Sequence, residues 1–293
     1  MTRSGFVSIV GRPNSGKSTF LNRLVGEKVS IVTDKPQTTR RVVRGIVTRS
    51  EGQIIFLDTP GVHKPIHRMN ERMMKAVREA IASVDLILLI VDSSAAFGSG
   101  DEFTLDLLKP VSTKKILLLN KIDRVEKKNL LPMMDRYSHL HEFAEIIPIS
   151  ALTGENVEEV VKEILRKLPE GPMFYPSDQI SDQPERAIAG EMIREKLIML
   201  TEDEMPYSTA VVIDRFEEGE NIHRIFATIF VERDSQKAIV IGKGGQKLKE
   251  VGTQARKDLE LFFGRQIYLE LYVKVKKNWR DDEETLRNLG LAE

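Results

Sequence analysis

Gly11-Arg12-Pro13-Asn14-Ser15-Gly16-Lys17-Ser18 constrains the fold of this chain more than any other stretch. It fits the pattern G-x-x-x-x-G-K-[ST], which has a physical use only where a strand gives way to a helix. Both neighbours are present. Phe6-Val7-Ser8-Ile9-Val10 is a short apolar run rich in β-branched residues and reads as a buried strand. From Ser18, Thr19-Phe20-Leu21-Asn22-Arg23-Leu24 reads as the opening turns of a helix. The glycines let the backbone curl with its N–H groups facing an anion, and the helix N-terminus adds partial positive charge. In such a loop Lys17 reaches the β- and γ-phosphates of a nucleotide, and the Ser18 hydroxyl binds Mg2+. The plainer reading, a chance glycine-rich turn, leaves the flanking strand and helix without a reason.

At 293 residues the chain has length for one large domain or two ordinary ones. Hydrophobic residues at 41% and charged residues at 30% are an ordinary globular balance that can fill a core. The 44 basic and 44 acidic residues cancel, so net charge names no partner. The absence of cysteine excludes disulfides and thiolate chemistry and fits a reducing compartment. The strand pattern begins almost at the N-terminus, so no signal peptide is expected. No apolar run has the length of a membrane span; the most apolar, Leu86 to Val91, is strand-sized.

The first half alternates strands (6–10, 42–48, 53–57, 86–91, 115–119, 145–149) with helices (17–25, 69–82, 101–109, 129–140, 156–168). That alternation predicts a mostly parallel, doubly wound sheet, with 42–48 and 53–57 close enough to form a hairpin and one antiparallel member. Pro169-Glu170-Gly171-Pro172, Pro176 and Pro184 then break any helix, marking a linker at 169–184 between a domain at 1–168 and another at 185–293. The second half reads as a small α+β domain. It runs helix 185–201, strands 208–216 and 222–232, the apolar run Ala238-Ile239-Val240-Ile241, a glycine-rich loop, helix 245–263 and strand 266–275.

Three stretches after predicted strands select the base. Asp58-Thr59-Pro60-Gly61 offers an Asp that holds Mg2+ through a water and a Gly61 N–H for the γ-phosphate. Asn120-Lys121-Ile122-Asp123 follows Ile116-Leu117-Leu118-Leu119. A carboxylate at Asp123 accepts both donors of guanine, N1–H and the exocyclic amine, and adenine has no such pair. Asn120 would bridge the base and the phosphate loop, while Lys121 packs its stem over the ring. Ser150-Ala151 follows Ile147-Pro148-Ile149, and the Ala151 N–H would meet guanine O6. Each stretch alone is an ordinary turn or dipeptide. Together, in this order at the carboxyl ends of strands, they form one site. The set resembles the motifs of translation-factor-class GTPases. In those proteins the position of Gln37-Thr38-Thr39-Arg40 holds a threonine that completes the Mg2+ shell; Thr39 is preferred and Thr38 stays open.

In the second half, Gly242-Lys243-Gly244-Gly245 contains G-x-x-G between apolar segments, the loop by which KH domains clamp a nucleic-acid backbone. A plain turn is the alternative. Residues 237–280 carry eleven basic against four acidic residues, an excess of +7 in a neutral protein, and a local basic patch is the footprint of nucleic-acid binding. Lys243, Lys247, Lys249, Lys274, Lys276 and Lys277 are the expected RNA contacts beside the loop glycines. Trp279 either stacks on a base or anchors the C-terminal tail.

An α/β P-loop GTPase domain joined to an α+β type II KH domain resembles the Era family of bacterial ribosome-assembly GTPases over essentially the whole chain. Gly11-Arg12-Pro13-Asn14, Pro36-Gln37-Thr38-Thr39-Arg40, Asp58-Thr59-Pro60-Gly61-Val62-His63, Val240-Ile241-Gly242-Lys243-Gly244-Gly245 and Leu269-Glu270-Leu271-Tyr272-Val273-Lys274-Val275 carry the resemblance. Ser15 departs from it, since the family usually has Val there. The resemblance implies a slow GTPase that binds the 3′ end of 16S ribosomal RNA and acts in 30S subunit maturation. It also implies a cytoplasmic protein with loose inner-membrane association, and a monomer is expected. Lys17, Ser18, Thr39 and Gly61 would carry hydrolysis, with residues 33–41 and 58–72 as the nucleotide-sensitive segments. Many GTPases place a Gln after D-x-x-G to orient the attacking water, but here that residue is Val62. In GTPases similar to this one an Asn at the position of Asn14 helps bind K+; the other reading is that Asn14 only shapes the loop. The competing function is a GTP-stabilised RNA-binding module with negligible hydrolysis.

Overall fold

Residues 2–201 and 205–291 are described by the computed structural model of the chain. They form two compact units. The first comprises residues 1–30, 39–65 and 73–182; the second comprises 31–38, 66–72 and 183–293.

The first unit is built on a six-stranded sheet. Its strands are β1 (Arg3–Val10), β2 (Val43–Arg49), β3 (Gly52–Asp58), β4 (Leu86–Asp92), β5 (Lys115–Asn120) and β6 (Glu145–Pro148). The order is β2-β3-β1-β4-β5-β6, parallel except that β2 runs antiparallel to β3. The expected hairpin is therefore the one antiparallel member. The apolar run of β4 has a two-sided use: Leu86, Leu88 and Ile90 enter one core cluster, and Ile87, Leu89 and Val91 enter the other. A strand buried on both faces cannot alternate with polar residues, which is why it reads as continuous hydrophobic sequence. On the first face lie α1 (Lys17–Val25) and α5 (Val157–Lys167); α5 presents Val157, Val160, Val161, Ile164 and Leu165 at helical spacing. On the other lie α2 (Arg68–Ala82), whose first turn falls in the second unit, α3 (Ser99–Leu108) and α4 (Leu130–Leu140).

Residues 169–182, expected as linker, fall with the first unit. Gln53 on β3 explains part of this. Its amide is fully buried, so both of its ends need partners. Oε1 accepts from the Phe174 and Tyr175 amides at 2.9 Å, and Nε2 donates to the Tyr175 carbonyl at 2.9 Å. The Ile46 amide donates to the Ile180 carbonyl along the outer edge of β2. A proline-rich stretch cannot make a helix, but its backbone still finishes the polar groups of a sheet edge.

The second unit contains α6 (Glu185–Leu200), α7 (Met205–Ser208), β7 (Ala210–Glu217), β8 (Ile222–Val231), α8 (Asp234–Ile241), α9 (Gln246–Phe263), β9 (Gln266–Val275) and α10 (Glu283–Asn288). Its sheet order is β7-β8-β9, with β7–β8 antiparallel and β8–β9 parallel. The apolar run 238–241 forms the end of α8. Segments 31–38 and 66–72 are bound into this unit. Glu195 on α6 accepts from the Val32 amide, Arg194 donates to the Thr38 carbonyl, and Arg68 and Arg72 pair with Glu283. Trp279 is fully buried and its indole N–H donates to the Ser208 carbonyl at 3.0 Å. It is an anchor of the tail and offers no face to a base.

Candidate functional site

The carboxyl ends of β1, β3, β5 and β6 bring four of the first-half motifs to one edge of the sheet, each held by a different loop. Between β1 and α1 the phosphate loop turns at Asn14 (φ 61°) and Gly16 (φ 96°). The left-handed conformation favours Gly at 16, and a Cβ there would lie 2.2 Å from the Asn120 amide nitrogen, so close approach requires it as well. Lys17 is buried and folds back over its own loop, donating to the Gly11 and Arg12 carbonyls at 3.2 and 2.9 Å. Burial lowers its pKa to about 8, against the opposing pull of Asp58. Arg12 turns aside to pair with Asp101 at 2.7 Å, and Pro13 packs against Gly61, where a Cβ would meet it at 2.8 Å. The buried Ser15 hydroxyl has no hydrogen-bond partner.

Three oxygen-bearing side chains converge beside Lys17. Ser18 Oγ lies 2.7 Å from Asp58 Oδ2 and 2.9 Å from Thr39 Oγ1. Asp58 is 0% exposed; burial raises its pKa, with Lys17 and the hydroxyls of Ser18 and Ser30 acting the other way. Its Oδ1 is buried without a partner. A compact set of hard oxygens with one orphaned carboxylate oxygen suits Mg2+, which prefers oxygen ligands and carboxylate charge. Thr38 is spent elsewhere: its hydroxyl bonds Thr33 Oγ1 and the Lys35 carbonyl, each at 2.7 Å. Of the two threonines, Thr39 is the one at the cluster. Thr59 is fully buried and its hydroxyl donates to the Ile9 carbonyl, so its side chain serves the fold. Val62, one residue past Gly61, is buried in the apolar cluster with Met74 and Val77.

At the base-binding end, Asn120 is 1% exposed and joins two loops. Its Nδ2 donates to the Ser15 carbonyl at 2.8 Å, and its Oδ1 accepts from the Ala151 amide at 2.9 Å. The expected bridge from Asn120 to the phosphate loop is there. The Ala151 N–H, expected to face guanine O6, is used by Asn120 instead. Asp123 Oδ1 accepts from Ser150 Oγ at 2.6 Å, which fixes the carboxylate plane. Lys121 sits in the left-handed region (φ 67°) and pairs with Asp92 at 2.6 Å. Although burial works against it, the bonds from Lys121 and Ser94 hold Asp92 below the usual carboxylate range.

Sequence reasoning missed Ser30, Asp92 and Asp101. Asp92 and Asp101 had a signal, since one ends the most apolar strand and the other opens the following helix. Ser30 had none, because it lies in no motif.

In the second unit Gly242, Gly244 and Gly245 all take positive φ, and no atom lies within 4 Å of a Cβ built on Gly244 or Gly245. The loop surface is bare, as close approach of a phosphate demands. Lys243, Lys249, Lys274 and Lys277 are exposed. Lys247 donates to the Leu200 carbonyl at 2.8 Å and Lys276 pairs with Asp282 at 2.7 Å, so these two serve the fold first.

A family model described as 50S ribosome-binding GTPase matches residues 6–121, and a KH domain model matches residues 204–280. Aquifex aeolicus Era bound to GDP·AlF4− is similar over 100% of both chains, with 44% identity and a TM-score of 0.95. Era in complex with MgGDPNP and nucleotides 1506–1542 of 16S ribosomal RNA is similar over 100% of both chains, with 43% identity and a TM-score of 0.96.

Proposed function

Because the chain belongs to the Era family of GTPases, we propose that it hydrolyses GTP and binds the 3′ region of 16S ribosomal RNA through its KH unit. The observation that carries the enzymatic half is the cluster of Ser18, Thr39 and Asp58 oxygens beside a buried Lys17. Ser18, Thr39 and Asp58 would hold Mg2+ at that cluster, and the ion would supply charge to neutralise the phosphates. The chain's own residues do the rest. Lys17 exchanges the two carbonyls it now caps for phosphate oxygens. The Gly61 amide donates to the γ-phosphate. Asp123, aligned by Ser150, accepts the two guanine donors. Phosphoryl transfer of this kind is positioning and charge neutralisation more than covalent chemistry.

Hydrolysis is slow without a partner. Val62 turns into the core and brings no polar group to the attacking water. Asn14, exposed on the phosphate loop, is then the residue to recruit K+, whose charge would stand where other GTPases bring an arginine. The reading extends to a switch. GTP would order residues 33–41 and 58–72, and hydrolysis would release them and change RNA affinity. The role is maturation of the 30S subunit, by a monomer in the cytoplasm. Any inner-membrane association would be peripheral. No helix among the described residues is long and apolar enough to cross a membrane.

Single-turnover GTP hydrolysis, with and without an RNA carrying the 16S 3′ sequence, tests this. Hydrolysis that the RNA accelerates is expected. GTP bound but not turned over in either case would leave a GTP-stabilised RNA-binding module.

A further inference from the structure

Asp58 is gripped from a side that the nucleotide motifs do not account for. Ser30 lies in the loop after α1, outside every motif, yet it is buried and its Oγ donates to Asp58 Oδ2 at 2.9 Å. Its own position is fixed by Asn22 on α1. Asn22 Oδ1 accepts from the Val29 and Ser30 amides at 3.1 and 2.9 Å, and Asn22 Nδ2 donates to the Ser30 carbonyl at 2.7 Å. These three bonds hold the backbone on both sides of the serine side chain.

We infer that Ser30, pinned by Asn22, is a positioning residue for Mg2+: it holds Asp58 by Oδ2 so that Oδ1 is presented to the metal's coordination shell. The inference rests on the GTPase reading above. A carboxylate turns readily about its terminal torsion, which has no sharp staggered wells. Ser18 alone holds Oδ2 poorly, because Ser18 must also serve the metal. The second hydroxyl removes that freedom, and Oδ1 is left buried and unpartnered. A hydroxyl is the right donor for the task. It satisfies the oxygen without bringing positive charge, so the whole carboxylate charge remains for the cation; a Lys or Arg there would compete with Mg2+.

Release of a fluorescent GDP from the full chain, followed as a function of free Mg2+, tests this in three proteins. In the intact chain Mg2+ should slow release. Ser30→Ala should raise the Mg2+ concentration needed for half of that slowing by roughly tenfold, the weight of one hydrogen bond to a charged group. Ser30→Thr, which keeps the hydroxyl, should stay within about threefold of the intact chain. Release in EDTA should be the same in all three, which also shows that the variants are folded. A Ser30→Ala midpoint equal to that of the intact chain overturns the inference, as does a faster release in EDTA that accounts for the whole effect. If the intact chain fails to bind GDP, or releases it without regard to Mg2+, the GTPase reading falls and takes this inference with it.

Discussion

Asn120→Ala should destabilise the first unit by about 2–6 kcal/mol, from two buried groups each losing a partner worth about 1–3 kcal/mol. The two groups are the Ser15 carbonyl, 2.8 Å from Asn120 Nδ2, and the Ala151 amide, 2.9 Å from Oδ1. Asn120 is nearly inaccessible, so water cannot simply replace it. Asn120→Asp separates hydrogen bonding from volume. It keeps the size and still accepts from Ala151, but sets a carboxylate against the Ser15 carbonyl. It should be no better tolerated than alanine. Urea unfolding of the nucleotide-free protein by circular dichroism, with hydrogen exchange read at residues 11–20, measures the loss. Trp279 lies in the second unit, so its fluorescence gives a reference that the substitution should not move. A loss below about 0.5 kcal/mol for Asn120→Ala, or an aspartate variant as stable as the intact chain, would refute the claim that these two bonds tie the loops together.

Asp123→Asn should weaken GTP and favour xanthosine triphosphate, because one acceptor becomes a donor that suits the xanthine carbonyl; nucleotide competition reads this directly. The depressed pKa of Lys17 gives a pH window. The unfolded chain keeps the Lys17 proton up to the ordinary value of 10.5, whereas the folded, nucleotide-free protein loses it at about 8. Stability of that form should therefore rise between these pH values. GTP binding favours the ammonium, so over the same window it should weaken and take up a proton; calorimetry in two buffers detects the uptake, and Lys17→Met should abolish it. Gly244→Asp puts a carboxylate and a side chain at a bare φ of 60°; it should cut RNA binding while GDP binding stays intact, and binding by the unaltered chain should fall steeply with salt. Hydrolysis should be faster in K+ than in Na+, and Asn14→Ala should remove the difference; equal rates in the intact chain would reject the ion.

The nucleotide motifs were legible because each is a contiguous stretch whose chemistry follows from its own residues and from its place at a strand end. The continuous apolar runs of β4 and β5 place those ends with little ambiguity, since a strand buried on both faces leaves no other pattern. The two-part organisation was legible for a similar local reason, the prolines and glycine at 169–184. Where that stretch docks was not, because Gln53 gives no sign in sequence that its buried amide will bond residues more than a hundred positions away.

The same limit governs the site. By itself the sequence determined which groups are the candidates: a lysine and serine proposed for phosphate and metal, an aspartate proposed for guanine, glycines for a bare loop. Tertiary structure decided how those groups are held. Thr39 rather than Thr38 meets Ser18 because Thr38 bonds within its own segment. Trp279 is an anchor because folding buries it against Ser208. Ser30 reaches Asp58 because Asn22, eight positions earlier on a helix face, turns the following loop back upon it. Such contacts depend on the path of the backbone through space, and spacing along the chain carries no record of it.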